Sequence, residues 1–271
     1  MSADTSRYVA QRNGRDADTD ALASLAFAGH AHFTAMQVRD RKVRGLDLHL
    51  DRLRTASMRM FGNALPDDII RAHLRSAIGA SPADASLTVT VYSPAGEFVV
   101  AGPDVEPELL IRTSPAASGP QGPLSLAAVD YERPLAAIKH VGEVAKTHYL
   151  REAVAQGHDD AAFVDRQGRL SEATIWNLVF WDGEAVVWPV ADMLTGTTMG
   201  IVQRQLDRLG VPQRSQEIYL ADLPNLAGAA VMNSWTPGIA VSVIASMPMP
   251  DAPMLMSALH RAYGEETLLK V

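Results

Sequence analysis

The sequence predicts a mixed α/β (α+β) fold in two domains, and three observations carry that prediction. Strand-like and helix-like runs interleave from Phe33 to the C-terminus. Pro, Gly and Ser concentrate strongly in one stretch, Ser114 to Pro123 (SPAASGPQGP), which reads as a domain boundary. The chain has 271 residues, 47% of them hydrophobic, enough apolar material for one large core or two modest ones. The expected division is a disordered or loosely held leader over 1–20, a small N-terminal α/β domain over 21–118 and a larger C-terminal domain over 119–271.

In the N-terminal domain, Phe33 to Val38 and Lys42 to Leu46 read as two short strands around Arg39-Asp40-Arg41. Leu46, Leu50 and Leu53 then recur at helical spacing, with Asp47 near the positive end of the helix dipole, and the pattern runs to about Phe61. A second helix is expected behind Pro66, over Asp67 to Ile78. Strands are expected at Leu87 to Ser93, Glu97 to Ala101 and Leu109 to Thr113, the first two joined by Pro94-Ala95-Gly96. Beyond the boundary, Leu124 to Val129 is a strand, Gly142 to Gln156 a helix, and Ala161 to Asp165 and Asn177 to Trp181 strands. Ala185 to Trp188 follows across Asp182-Gly183, a dipeptide that favours tight hairpins. A helix opens at Thr197, and strands at Gly228 to Met232 and Ile239 to Ala245 lead to a last helix from about Met254 to Tyr263.

Composition narrows the partners. A net charge of -7 argues against nucleic acid or an anionic membrane, which are read by clustered Lys and Arg. A small molecule suits the chain better. With no cysteine there are no disulfides, thiolate nucleophiles or cysteine-bound zinc. The polar first twenty residues lack the apolar core of a signal peptide and no run reaches membrane-spanning length, so a cytoplasmic protein is expected. The histidines show no HExxH or similar spacing, and no metal is assigned.

Several residues carry possible chemistry, each with an ordinary alternative. Lys139 in AAIKHVGEV has small and apolar neighbours, which disfavour its charged form and free the amine as a nucleophile; the alternative is a surface lysine with its stem laid on the core. Lys146 is its rival, read as mid-helix beside Arg151 and Glu152 and facing water. Glu172 opens a turn or helix before AlaThrIleTrpAsn and is either a solvated cap or a functional carboxylate. LTGTTMGI, Leu194 to Ile201, runs Gly and Thr into a helix N-terminus, an anion cradle or a plain cap, and Asn233-Ser234-Trp235-Thr236 is a second loop able to add donors. Arg52 in LDLHLDRL offers a planar fork suited to phosphate or to a neighbouring aspartate.

The ordered set Lys139, Gly157, Asp165, Gly168, Glu172 and Asn177 resembles the class IV, fold-type IV, pyridoxal-phosphate-dependent aminotransferases. That family holds branched-chain and D-amino acid aminotransferases and aminodeoxychorismate lyases. It shows a lysine, a helix ending at glycine, an acidic strand with a D-x-x-G turn, then a glutamate and an asparagine. The resemblance implies pyridoxal 5'-phosphate as cofactor, with Lys139 forming the Schiff base and shuttling a proton, and Glu172 holding the pyridinium nitrogen. Arg52, in the family's H-x-x-R-L element, would bind the phosphate, as would Gly196, Thr197 and Thr198, where the family usually reads G-I-T-R. Asn177 belongs to the same cofactor set, and Ser234 and Trp235 fall at the family's late phosphate-side loop.

Departures bear on substrate. Glu143 and Val144 stand where many aminotransferases have a tyrosine, Gln37 replaces a usual basic residue, and Gly29-His30-Ala31 replaces G-D-G. His32, Gln37 and Arg133 are the candidates for lining the substrate side. The resemblance implies a C-terminal, cofactor-binding domain with a β-barrel-like core, the cofactor between the domains, and a homodimer. The activity expected is transfer of an amino group between an amino acid and a 2-oxo acid. The alternatives are a 4-amino-4-deoxychorismate lyase releasing pyruvate and 4-aminobenzoate, to which IKH and the FT of the first strand look closest, and a cofactor-binding homologue without turnover.

Overall fold

The computed structural model describes residues 7–26, 29–96, 98–99 and 105–271. These fall into two compact units: 1–117 with 138–142 and 267–271, and 118–137 with 143–266. The strand expected at 97–101 lies on residues of which only 98 and 99 are described.

The first unit contains β1 (Ala10–Arg12), β2 (Arg15–Asp16), α1 (Thr19–Ala26), β3 (Ala31–Val38), α2 (Leu46–Phe61), α3 (Asp67–Ala80), β4 (Ala85–Tyr92) and β5 (Glu108–Ser114). Its sheet runs β2-β1-β5-β4-β3 with every pair antiparallel. Leu46, Leu50 and Leu53 of α2 and Ile70 and Leu74 of α3 are buried against Met36, Leu87, Val89 and Ile111 of the strands. Burial of this apolar surface is what fixes the two helices on the sheet.

Two expectations change here. The leader is partly structured, because Asn13 and Gly14 take positive φ and turn β1 into β2, and β1 then pairs with β5. Asn13 Oδ1 also accepts from the Leu109 N–H at 3.0 Å, and the Val9 N–H donates to Thr113 Oγ1 at 2.8 Å. The strand expected over Lys42 to Leu46 shrinks to two bridges, Arg39 with Lys42 and Val43 with Leu269. Gly45 at φ 59 turns the chain, and Leu46 already belongs to α2.

The second unit contains β6 (Leu124–Asp130), α4 (Val144–Ala155), β7 (Asp160–Val164), β8 (Leu170–Ala173), β9 (Asn177–Trp181), β10 (Val186–Pro189), α5 (Thr197–Arg208), β11 (Gln213–Gln216), β12 (Gly228–Met232), β13 (Ile239–Ile244), β14 (Met247–Pro248) and α6 (Pro253–Glu265). The order β9-β12-β13-β6-β7-β8 closes on itself through the β8 to β9 pairing, which makes a barrel; β10 and β11 extend it beyond β9. The β6 and β7 pair is parallel, with α4 as its crossover. Leu126, Val164, Leu170, Leu178, Phe180 and Val231 fill one continuous core. The bend from β8 to β9 is pinned by Asp160, which accepts from Thr174 Oγ1 at 2.7 Å, the Thr174 N–H at 3.2 Å and Trp176 Nε1 at 2.9 Å.

His32, His49 and His140 of the first unit are buried, the first two most deeply. His32 Nε2 contacts Ser57 Oγ at 2.8 Å and its ring stacks on Phe61, while His49 Nδ1 contacts Thr34 Oγ1 at 2.6 Å. Burial lowers both pKa values, His32 to about 4 with a smaller push from His30, and His49 to about 3 with a further push from Arg52. A base held neutral in the fold contributes stability above its unfolded pKa of about 6.5, and that stability drains as pH falls toward the folded value. Urea unfolding should therefore show stability falling from about pH 6.5 toward pH 4, by up to about 1.4 kcal/mol per pH unit for each histidine. A His32→Gln variant should show a shallower slope; a slope equal to that of the wild type contradicts this account.

Candidate active site

The second unit assembles most of the residues singled out from the sequence. Glu172 lies in the middle of β8, 4% exposed, and not at the opening of a helix or turn. Its Oε1 is 2.9 Å from Arg133 Nε and its Oε2 is 3.6 Å from Lys146 Nζ. The Arg133 contact is an ion pair in distance but falls short of hydrogen-bond alignment, so Glu172 Oε1 remains a buried acceptor without a hydrogen-bond donor. Arg133 in turn pairs with Glu143 Oε1 through Nη1 at 2.7 Å and donates from Nη2 to the Ala136 carbonyl. Arg133, a candidate for the substrate side, thus meets two carboxylates and a carbonyl.

Lys146 departs most from expectation. Expected to face water, it is about nine-tenths buried, whereas Val144 two residues before it is 83% exposed. Burial lowers its pKa, opposed by the attraction of Glu172. Sequence reading missed its burial because α4 has apolar residues on all sides and no clear apolar stripe marks its inner face.

Asn177 links the carboxylate to the start of α5, the candidate anion cradle. It stands directly across from Glu172 in the β8 and β9 pairing, so the two side chains share one face of the sheet. Its Nδ2 donates to the Leu194 carbonyl at 2.6 Å, and its Oδ1 is the atom a Cβ on Gly196 would meet at 2.0 Å. Gly196 caps α5 without a side-chain hydrogen bond, leaving the first-turn N–H groups of Thr197 onward to another acceptor. Thr197 and Thr198 are buried at that end. Thr198 Oγ1 donates to the Asn233 carbonyl at 2.8 Å, which ties the 233–236 loop to the cradle. That bond spends the Thr198 hydroxyl proton, and the Trp235 N–H is likewise spent on Asn233 Oδ1 at 2.8 Å. Ser234 is half-buried beside it, and the exposed Trp235 ring meets Trp176 edge-on.

The remaining residues belong to the first unit. The backbone around Lys139 pairs with β3: the Phe33 N–H donates to the Lys139 carbonyl and the Val141 N–H to the Ala31 carbonyl. Lys139 Nζ stands 4.8 Å from the centre of the Phe33 ring. Gln37 follows Phe33 by four residues on the same face of β3, hydrogen-bonded to Ser86 Oγ at 3.1 Å. His32, expected to line the substrate side, points to the other face and is 0% exposed between Ser57 and Phe61. Arg52 is half-buried on α2, close enough to His49 to disfavour its protonation.

Comparison with known proteins bears on the fold and the family. The branched-chain amino acid aminotransferase of Escherichia coli superposes with a TM-score of 0.82 at 17% identity, over 97% of this chain and 95% of that one. The 4-amino-4-deoxychorismate lyase of Pseudomonas aeruginosa gives a TM-score of 0.81 at 20% identity, over 97% and 100% of the two chains. The fold is therefore that of fold-type IV aminotransferases and lyases.

In sequence, the chain is 26% identical over 220 residues to the probable branched-chain-amino-acid aminotransferase of Rickettsia felis, covering 77% of this chain and 75% of the relative. Residues 31–244 match the family model described as amino-transferase class IV, and the chain belongs to that family. It is an enzyme of this class, with pyridoxal phosphate as cofactor and aminotransferase or lyase activity.

The residues present fit that cofactor. A buried carboxylate oxygen lacking a donor suits a protonated ring nitrogen, and an uncapped helix end beside a glycine suits a phosphate. A Gly196→Ala variant should lose affinity for pyridoxal phosphate by about tenfold or more, since overpacking of this kind costs about 1–3 kcal/mol. Absorbance titration with the cofactor measures it, and unchanged affinity contradicts the cradle.

Proposed function

We propose that this enzyme is a transaminase that moves an amino group between an amino acid and a 2-oxo acid. Glu172 carries the reading: a buried carboxylate with one unsatisfied oxygen, one strand pairing away from the residue that shapes the anion cradle. Pyridoxal phosphate, when bound, supplies an electron sink for the substrate's α carbon. Glu172 would hold the proton on the ring nitrogen. The first-turn N–H groups of α5 at Thr197 and Thr198, together with Arg52, would bind the phosphate, and Asn177 would keep the cradle in register. Ser234 and Trp235 would border the phosphate without giving it the Trp235 N–H.

Lys139 would anchor the cofactor and carry the proton to and from the substrate. The chain has four lysines, which makes the choice tractable. Lys42 pairs with Asp40 at 2.6 Å, and Lys270 is exposed next to the last residue. Lys146 sits on Glu172, the nitrogen partner, while the reactive aldehyde lies at the opposite side of the pyridine ring. Lys139 remains, and its place above an aromatic ring on β3 gives the amine an apolar floor. Gln37, on the same face of β3, is the residue we assign to the substrate side.

The family resemblance supports small-molecule amino acid and 2-oxo acid substrates, a homodimer and a cytoplasmic setting. Among the described residues no helix is long and apolar enough to cross a membrane. The test is optical. The protein with pyridoxal phosphate should show a visible absorption band that Lys139→Ala abolishes, and a panel of L- and D-amino acids should bleach it as the cofactor passes to its amine form. Release of pyruvate from 4-amino-4-deoxychorismate without that bleaching would show a lyase instead, and an unchanged band in Lys139→Ala would remove Lys139 from its role.

A further inference from the structure

Among the described residues, ion pairs at Glu172 join two cations to two carboxylates: Arg133 and Lys146 with Glu143 and Glu172. They arrive from separate elements, Arg133 from the segment after β6, Glu143 and Lys146 from the start of α4, and Glu172 from β8. Tyr131 stands at the edge of the group, its phenol proton held more tightly by burial and by Glu143. Arg133 is shared between both carboxylates, at 2.7 Å from Glu143 and 2.9 Å from Glu172. Lys146 instead meets Glu172 at a longer 3.6 Å, on the oxygen that Arg133 Nε leaves to it.

The four groups of these ion pairs balance in charge, and a protonated ring nitrogen at Glu172 would add a third cation to them in a buried space. Excess charge there is costly, and one group must shed it. Arg133 cannot, because a guanidinium does not deprotonate in proteins. The amine of Lys146, about nine-tenths buried, can. We propose that Lys146 is a proton-exchanging positioning residue: as an ammonium it holds Glu172 in the cofactor-free protein, and it gives up one N–H proton when the cofactor's ring nitrogen takes that partner. The inference rests on the assignment of Glu172 to the ring nitrogen. Its chemistry is one N–H bond broken at Lys146 Nζ, with the proton passing to water or to the ring nitrogen itself. Burial already biases the amine toward its neutral form.

Isothermal titration calorimetry of pyridoxal phosphate binding to the full chain, at pH 7 in buffers of differing ionisation enthalpy, counts protons exchanged per site. The wild type should release about one proton more than Lys146→Met, whether or not the ring nitrogen arrives protonated, since that proton is common to both proteins. Lys146→Gln repeats the comparison should the methionine variant not fold. Lys146→Arg, whose charge cannot be discharged, should exchange protons like Lys146→Met and bind the cofactor about tenfold more weakly than wild type. Equal proton counts in wild type and Lys146→Met, with the visible band present in both, overturn the inference and leave the cofactor site standing. No band and no heat in any protein overturns the site assignment itself.

Discussion

The ion pair between Glu172 and Arg133, set on a strand of the barrel, is the constraint around which the second unit is built. A carboxylate that is 4% exposed is tolerated only with compensating charge, and removing Arg133 would leave it with Lys146 alone, at 3.6 Å. Yet the pairing is incomplete as hydrogen bonding, since Oε1 keeps an unfilled acceptor position. A structure optimised for stability alone would have filled or removed it. Strain of this kind points to a ligand that completes the site.

From Glu172 the rest follows by short steps. The cross-strand pairing places Asn177 on its face, Asn177 holds the chain at Leu194, and Gly196 fits against Asn177 where no side chain has room. α5 then starts with its first N–H groups uncapped, and Thr198 ties in the 233–236 loop. The carboxylate proposed to hold the ring nitrogen and the helix end proposed to hold the phosphate are thereby fixed by one β8 and β9 corner, which Asp160 braces. The proposed binding groups thus stand on regular elements of the fold.

Much of this was legible in the sequence. The Leu46, Leu50, Leu53 stripe located α2 to its ends, because a strongly amphipathic helix stopped by Gly62 leaves little freedom. The spacing of Lys139, Glu172 and Asn177 singled out residues whose placement is now visible. The hairpin at β1 was also signalled, by Asn13-Gly14, a dipeptide suited to tight turns, but it was hidden in a polar leader whose strands are three and two residues long. β8 was not legible. Its four residues, Leu-Ser-Glu-Ala, are all buried, and a buried Ser and Glu look like a turn until the closed sheet around them is known. The burial of Lys146 was invisible for a related reason: lysine is read as a surface residue, and only tertiary packing places it against Glu172.

The claim that Glu172 holds a protonated ring nitrogen is tested most directly by nitrogen-15 NMR of the protein loaded with ring-labelled pyridoxal phosphate. The account predicts a ring resonance in the protonated range with a resolved one-bond coupling to hydrogen in the wild type, and loss of both in Glu172→Gln. An unprotonated nitrogen in the wild type, or an identical spectrum in the variant, would contradict it.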